Sequence, residues 1–152
     1  MSNYIYHLHE CLGFMTITTN RVMSAFLHQK MKKAGLNLTS EQWGVLIQLW
    51  NHENVTQEEL AQVACVDKST MSRVLSRMER NGLIIRRVDP ADARRKILCT
   101  TQKADELRDR SVAVTREVLA LALEDVDPQD QAVCLKVLDV VKDNLRKRKH
   151  GR

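Results

Sequence analysis

A helix rich in small hydroxyls and arginines is the part of this sequence whose residue types point most directly to chemistry. Within residues 68–80, apolar side chains recur at i, i+3, i+4 and i+7: Met71, Val74, Leu75 and Met78. This spacing places them on one face of a helix. The other face presents Lys68, Ser69, Thr70, Ser72, Arg73, Ser76, Arg77 and Arg80. Arginine can bond guanine bidentately and hydroxyls reach bases or phosphates, so this face suits the major groove of DNA. No acid precedes Glu79 on it, and a carboxylate there would repel phosphate.

An arginine-rich hairpin is predicted directly after that helix. Residues 83–88 and 96–100 favour two strands, and the seven residues between them are polar and turn-rich. Arg94 and Arg95 would then lie at the tip, where arginine suits the narrow, electronegative minor groove. A helix beside such a hairpin predicts a winged helix-turn-helix, the hairpin being the wing. The predicted DNA contacts are Lys68, Ser69, Thr70, Ser72, Arg73, Arg77, Arg94 and Arg95.

Two details of the wing follow from its sequence. Asp92 is expected to pair with Arg94 and to stiffen the wing. Arg86 and Arg87 alternate along the first strand, so at most one of them can face the DNA.

Helices are predicted on both sides of this unit. The first spans about residues 4–34, where one face carries Leu8, Leu12, Met15, Val22 and Phe26. Residues with capping chemistry precede the later helices: Thr39, Thr56, Asp67, Thr101 and Asp127. The last two helices are expected at about 102–123 and 128–147. The final helix has a broader apolar surface than one small core requires, which suggests a dimer interface.

The fold class that results is mainly α with a small β-hairpin wing. It is a winged helix-turn-helix flanked by N- and C-terminal dimerisation helices. We expect a single domain over residues 1–152, with the DNA-binding part at about 38–100. The dimerisation helices are expected at about 4–34 and 102–148.

Composition and charge limit the classes of function. The chain has 152 residues, 43% apolar and 28% charged, which fits one globular domain. No apolar run approaches the roughly 20 residues of a membrane span, and the first residues lack a signal-peptide pattern. We therefore expect a cytoplasmic protein without membrane contact. Residues 67–96 and 142–152 each carry a net charge of +5 and the remainder −5, a distribution typical of proteins that bind a polyanion.

These residues together resemble the MarR family of bacterial transcription regulators. The resemblance runs from about Leu38 to Leu107 and rests on five segments: Leu38–Trp43, Gln57–Ala61, Val66–Arg73, Asn81–Ile84 and Asp89–Asp92. It implies a homodimer that binds a pseudo-palindromic operator, with two recognition helices about 34–36 Å apart. It also implies repression that a small ligand or thiol oxidation releases. The chain departs from the family's Asp-Arg-Arg wing, because Ala93 takes the place of the first arginine.

The family resemblance further implies a site for a small phenolic or lipophilic effector between the dimerisation helices and the winged domain. The residues expected to line it are Met15, Thr19, Val22, Trp43 and Ile47. Trp43 and Trp50 are seven residues apart on one helix face, so plain core packing is an alternative for both.

Cysteine and metal chemistry offer further alternatives. Cys11 in the first helix could sense oxidation, and His7 one turn earlier is its candidate activator. Cys65 and Cys99 are expected to fill the core. His7, His9 and Cys11 are too few to predict a metal site.

Other classes of function have weaker support in the sequence. There is no Gly-rich phosphate loop, nucleophile elbow or HExxH pattern, so we expect no enzyme activity and no cofactor. A nonspecific architectural DNA-binding protein would use the same basic residues without reading bases.

Overall fold

Seven helices and one hairpin, preceded by a short 3-10 turn, make up residues 7–149, the part of the chain that the computed structural model describes. The turn spans Leu8–Glu10. The helices are α1 (Leu12–Lys33), α2 (Ser40–Asn51), α3 (Gln57–Ala64), α4 (Lys68–Arg80), α5 (Gln102–Asp105), α6 (Arg108–Ala122) and α7 (Pro128–Lys149). The strands β1 (Ile84–Asp89) and β2 (Asp92–Thr100) pair antiparallel. The predicted fold class is confirmed.

The chain divides into two compact units, and the boundary falls inside α6. The units are Met1–Val118 and Leu119–Arg152. A hydrophobic core in the first unit joins α2, α3, α4, the hairpin and α5: Leu38, Val45, Leu46, Val55, Leu60, Ala61, Met71, Leu75, Met78, Leu83, Ile84, Leu98 and Ala104. Every residue predicted to contact DNA therefore lies in the first unit. No helix within residues 7–149 is both long and apolar enough to cross a membrane.

Side-chain caps begin the helices where the sequence predicted them. The Thr39 hydroxyl accepts the Gln42 N–H at 3.2 Å, and Gln42 Oε1 accepts the Thr39 N–H at 3.1 Å. Thr56 and Glu59 form the same reciprocal pair at α3. These capping boxes satisfy N–H groups that a helix start leaves without partners.

Replacing Thr39 by alanine is expected to lower the free energy of unfolding by about 1 kcal/mol, because the α2 cap is lost. Urea unfolding at fixed protein concentration measures this. Ser76→Ala, at an exposed position inside α4, is the matched control and should change stability by less than about 0.5 kcal/mol. Equal effects of the two variants would show that the cap contributes nothing.

Two predicted helices are interrupted. The first begins at Leu12, not near residue 4, because Cys11 is extended (φ −88°, ψ 112°). Cys11 and Gly13 are weak helix formers, which an apolar repeat does not register. Residues 4–6 lie outside the described residues. The helix predicted at 102–123 is broken after α5, where the Leu107 N–H bonds the Ala104 carbonyl three residues back, at 3.0 Å.

The wing differs from the predicted long loop. Val88 lies opposite Lys96, but Asp89 lies opposite Asp92, so the register shifts and the turn itself is only Pro90 and Ala91. Asp89 Oδ1 accepts the Ala91 N–H at 2.9 Å, a local bond that closes the turn. Arg94 and Arg95 therefore belong to β2 and do not lie at the tip, which corrects the prediction.

Two helices leave apolar faces exposed in the single chain. On α1 these side chains are Leu12, Met15, Ile17, Val22 and Phe26. On α7 they are Val133, Leu135, Val137, Val140 and Leu145. Apolar surface of this extent on a helix is typical of a site that another chain covers.

Candidate nucleic-acid interface

The rotation of α4 about its axis is fixed by its buried residues. Met71, Leu75 and Met78 are buried, and Val74 packs at the edge of the core, which confirms the predicted inner face. The predicted outer face is therefore turned away from the core. Lys68, Ser69, Arg73 and Arg77 are exposed on it, and Thr70 and Ser72 are half-buried.

Asp67 holds the start of α4. Its carboxylate accepts the Thr70 N–H at 2.8 Å, the Thr70 hydroxyl at 2.8 Å and the Ser69 hydroxyl. Both hydroxyls thus donate to the cap, and only their lone pairs remain for another group. The Arg73 guanidinium donates to the Thr70 hydroxyl at 3.2 Å, so cap and arginine are joined in one network.

Acid is expected to weaken this cap. Hydrogen bonds from the Ser69 hydroxyl, the Thr70 N–H and the Thr70 hydroxyl hold the pKa of Asp67 well below its ordinary range. A lowered pKa contributes stability above the unfolded value of about 3.9, and that contribution is lost as pH falls through the folded pKa. Asn keeps the capping geometry without the charge. The stability difference between wild type and Asp67→Asn should stay constant from about pH 7 to 5 and change below about pH 4. Urea unfolding at each pH measures this difference. A stability difference that stayed the same below pH 4 would contradict the assignment.

Glu79, the acid on α4, is neutralised within the protein. Arg86 Nε lies 3.1 and 3.2 Å from its two oxygens, and Arg86 Nη1 donates to Gln57 Oε1 at 2.8 Å. Arg86 is half-buried and Arg87 is exposed, so one arginine of the pair faces outward, as the alternation predicted. Arg87 was missed as a candidate contact, although that alternation marks it.

The two predicted wing arginines differ in their surroundings. Arg94 is exposed, and Asp92 accepts its backbone N–H at 2.9 Å; the expected pairing is thus to the backbone. Arg95 faces the body of the protein, since its Nη2 donates to the Asn54 carbonyl at 3.3 Å and to Glu59 Oε1 at 3.0 Å. The Arg94 side chain is therefore exposed to solvent, whereas the Arg95 guanidinium is engaged by Asn54 and Glu59.

The sequence and the fold of this chain are similar to those of known transcriptional regulators. The sequence model of the MarR family matches residues 38–96, from the start of the core to the middle of β2. The solved structure of the transcriptional regulator PA3341 is 33% identical and superposes with a TM-score of 0.77, covering 90% of this chain and 99% of that one. The chain belongs to the MarR family of transcriptional regulators.

Two curated relatives in the family have names that describe their roles. The organic hydroperoxide resistance transcriptional regulator of Bacillus subtilis (strain 168) is 29% identical over 115 residues, 76% of this chain and 77% of the relative. The homoprotocatechuate degradative operon repressor of Escherichia coli is 25% identical over 104 residues, 68% of this chain and 69% of the relative.

The structure does not bring together in one pocket the residues predicted to line an effector site in this MarR-family regulator. Met15, Thr19 and Val22 are exposed on α1, with Val22 70% exposed. Trp43 packs against the core, and its buried indole N–H has no acceptor among the described residues. Ile47 instead lines an open groove of about 570 Å³ with residues of α2 and α6: Trp50, Asn51, Arg108, Asp109, Val112, Ala113 and Arg116.

The cysteines also depart from expectation. Cys65 is exposed, not buried, and adopts a left-handed conformation (φ 55°) in the turn before α4. Cys99 is half-buried and Cys134 is exposed. Cys11 is half-buried at the start of α1. No group of three metal-ligating side chains occurs within residues 7–149.

Proposed function

We propose that this MarR-family regulator is a homodimer that binds a pseudo-palindromic operator, with α4 of each protomer in a major groove and each wing at a minor groove. One observation carries the proposal: cations of α4 and of the wing are exposed to solvent, while the two acids that flank or belong to α4 are engaged within the protein. Asp67 is used as a cap and Glu79 is paired with Arg86. The proposed DNA contacts are Lys68, Ser69, Thr70, Ser72, Arg73, Arg77, Arg87 and Arg94.

The exposed apolar faces of α1 and α7 supply the proposed dimer interface. Val22 on α1, and Leu135 and Leu145 on α7, are each more than half exposed, and apolar side chains left in water cost free energy. Dimerisation through the regions predicted at about 4–34 and 102–148 remains a proposal, with α1 (Leu12–Lys33) and α7 (Pro128–Lys149) as its helices.

Sedimentation velocity tests the assembly. At micromolar protein concentration we expect a species of two chains, and with an operator duplex a complex of two chains per duplex. Leu135→Glu should shift the equilibrium toward one chain, since a charge at an apolar interface is costly. Glu124→Gln, at an exposed position before α7, is the control. A wild-type protein that stays monomeric would refute the dimer.

The effector is the second part of the proposed function. The groove between α2 and α6 has an aromatic wall, Trp50, with Arg108 over its ring at 5.9 Å. Arg116 is a second guanidinium in the same groove, and Ile47 and Val112 are apolar. An aromatic acid fits this chemistry, because the ring can pack on apolar walls while arginine binds its carboxylate bidentately. We expect binding there to weaken operator affinity, and the protein would then act as a repressor that an aromatic acid releases, the role predicted from the family resemblance.

Titration with 4-hydroxybenzoate, followed by tryptophan fluorescence, tests the groove. We expect saturable quenching that is lost in Arg116→Gln and absent with 4-hydroxybenzamide, which has no carboxylate. Quenching unaffected by Arg116→Gln would place the ligand elsewhere.

Thiol oxidation is a second candidate for the release mechanism. It is favoured by the position of Cys11 at the N-terminal end of the 22-residue α1, and by the role stated in the name of the Bacillus subtilis relative. If Cys11 senses oxidant, peroxide should abolish operator binding of the wild type and of Cys134→Ser, but not of Cys11→Ser. Equal loss in all three proteins removes this candidate.

A further inference from the structure

The first turn of α3 contacts both strands of the wing. Arg86 of β1 reaches Gln57 at 2.8 Å, and Arg95 of β2 reaches Glu59 at 3.0 Å. These four residues are called the α3 clamp. They join segments 29 and 36 residues apart in sequence, so the contacts are tertiary.

Each clamp arginine has further partners that hold it in place. Arg86 also pairs with both oxygens of Glu79, and so links β1 to α4 as well as to α3. Arg95 also donates to the Asn54 carbonyl at 3.3 Å and lies 3.5 Å from the buried carboxylate of Asp89, which closes the wing turn. Contacts made through two nitrogens of one guanidinium fix its orientation.

Glu59 links the clamp to the cap of α3. One oxygen, Oε2, accepts the Thr56 N–H at 2.7 Å and the Thr56 hydroxyl at 2.9 Å. The other, Oε1, accepts Arg95. The pKa of Glu59 is lowered, first by the Thr56 hydrogen bonds and then by the charge of Arg95, so the carboxylate is ionised at neutral pH.

We propose that Arg86 and Arg95 position the wing for DNA and do not contact it, and that the α3 clamp sets the place of Arg94 relative to α4. Both guanidiniums are already faced by carboxylates, Arg86 by Glu79 and Arg95 by Glu59 and Asp89. Either would have to break those contacts to reach a phosphate. This replaces the prediction that Arg95 binds DNA, and it rests on the operator binding proposed above.

Glu59→Gln separates the two roles of Arg95 by the sign of its effect. Glutamine keeps the capping box of α3 but removes the charge that holds Arg95. If Arg95 positions the wing, the variant should bind the operator about three- to tenfold more weakly. If Arg95 contacts DNA, the variant frees it and removes a repelling carboxylate, so binding should strengthen. Glu58→Gln removes an equal charge from the same turn, outside the clamp. Glu58 pairs with Lys68, a proposed DNA contact, at 3.2 Å, but both side chains are mostly exposed, so this variant should bind at least as tightly as the wild type.

Coupling to Arg94 gives the second readout. Arg94→Gln should weaken operator binding about tenfold in the wild-type background, and less than about threefold in Arg95→Gln, where the wing is no longer held. Arg95→Lys keeps the charge but lacks the fork of donors, so it should behave like Arg95→Gln. This variant also serves if Arg95→Gln fails to fold, which circular dichroism of each protein would show.

The outcomes are distinct. Weaker binding by Glu59→Gln, together with reduced dependence on Arg94, supports the clamp. Unchanged or stronger binding by Glu59→Gln, or an Arg94 effect that stays tenfold in Arg95→Lys, overturns it. If the wild type shows no preference for the operator over random duplex, the operator proposal fails before any clamp variant is compared.

Discussion

Arg73→Ala is expected to weaken operator binding by roughly 1–3 kcal/mol, about 5- to 150-fold in Kd, while binding to random duplex changes much less. Arg73 is exposed near the middle of α4, and its guanidinium is oriented by the Thr70 hydroxyl, itself held by the Asp67 cap. An arginine held in this way is suited to bidentate contact with guanine. Fluorescence anisotropy with operator and random duplexes at one fixed salt concentration measures the specificity ratio.

Arg80→Ala is the matched control for this prediction. It removes the same charge from the last turn of the same helix, where the side chain is exposed. Arg80 is outside the proposed contacts, so its loss removes only general attraction to phosphate and should weaken binding to both duplexes about equally. A nonspecific architectural protein would show the Arg80 pattern for both variants, and that result would contradict base reading by Arg73.

Leu75→Ala is expected to lower the free energy of unfolding by about 2–5 kcal/mol, the largest effect on stability predicted for this chain. Leu75 is 0% exposed on the inner face of α4 and belongs to the core that joins α4 to α2, α3 and the wing. Removing its side chain leaves a cavity in a small domain that tolerates few such losses. Urea unfolding, at a fixed protein concentration because a dimer's stability depends on it, measures the change.

Val88→Ala is the control for that measurement. Val88 lies on the wing and is 57% exposed, so its truncation should change stability by less than about 0.5 kcal/mol. A Leu75→Ala variant as stable as Val88→Ala would mean that α4 is not rotated as the structure has it.

Features set by local spacing were predictable from the sequence. The inner face of α4 follows from residues three and four apart, and the caps at Thr39, Thr56 and Asp67 bond to N–H groups within three residues. Such interactions are decided within one or two helical turns. For the same reason the order of helices and hairpin was recovered.

Features set by contacts between distant segments were not predictable. The guanidinium of Arg95 is directed by Asn54 and Glu59, 41 and 36 residues away, and nothing in the local sequence reveals them. The groove at Ile47 depends on the approach of α6 to α2. The break at Cys11 also escaped, because an apolar repeat continues across a single extended residue.

In vitro selection from random duplex DNA with the purified full chain tests the central claim most directly. We expect enrichment of a two-fold symmetric motif whose half-sites lie about 10 base pairs apart, as two α4 helices in successive major grooves require. Repeating the selection with Arg73→Ala should relax the base preference within each half-site. Binding without enrichment, which only falls steeply as salt rises, would show phosphate contacts alone and would contradict the account of a base-reading dimer.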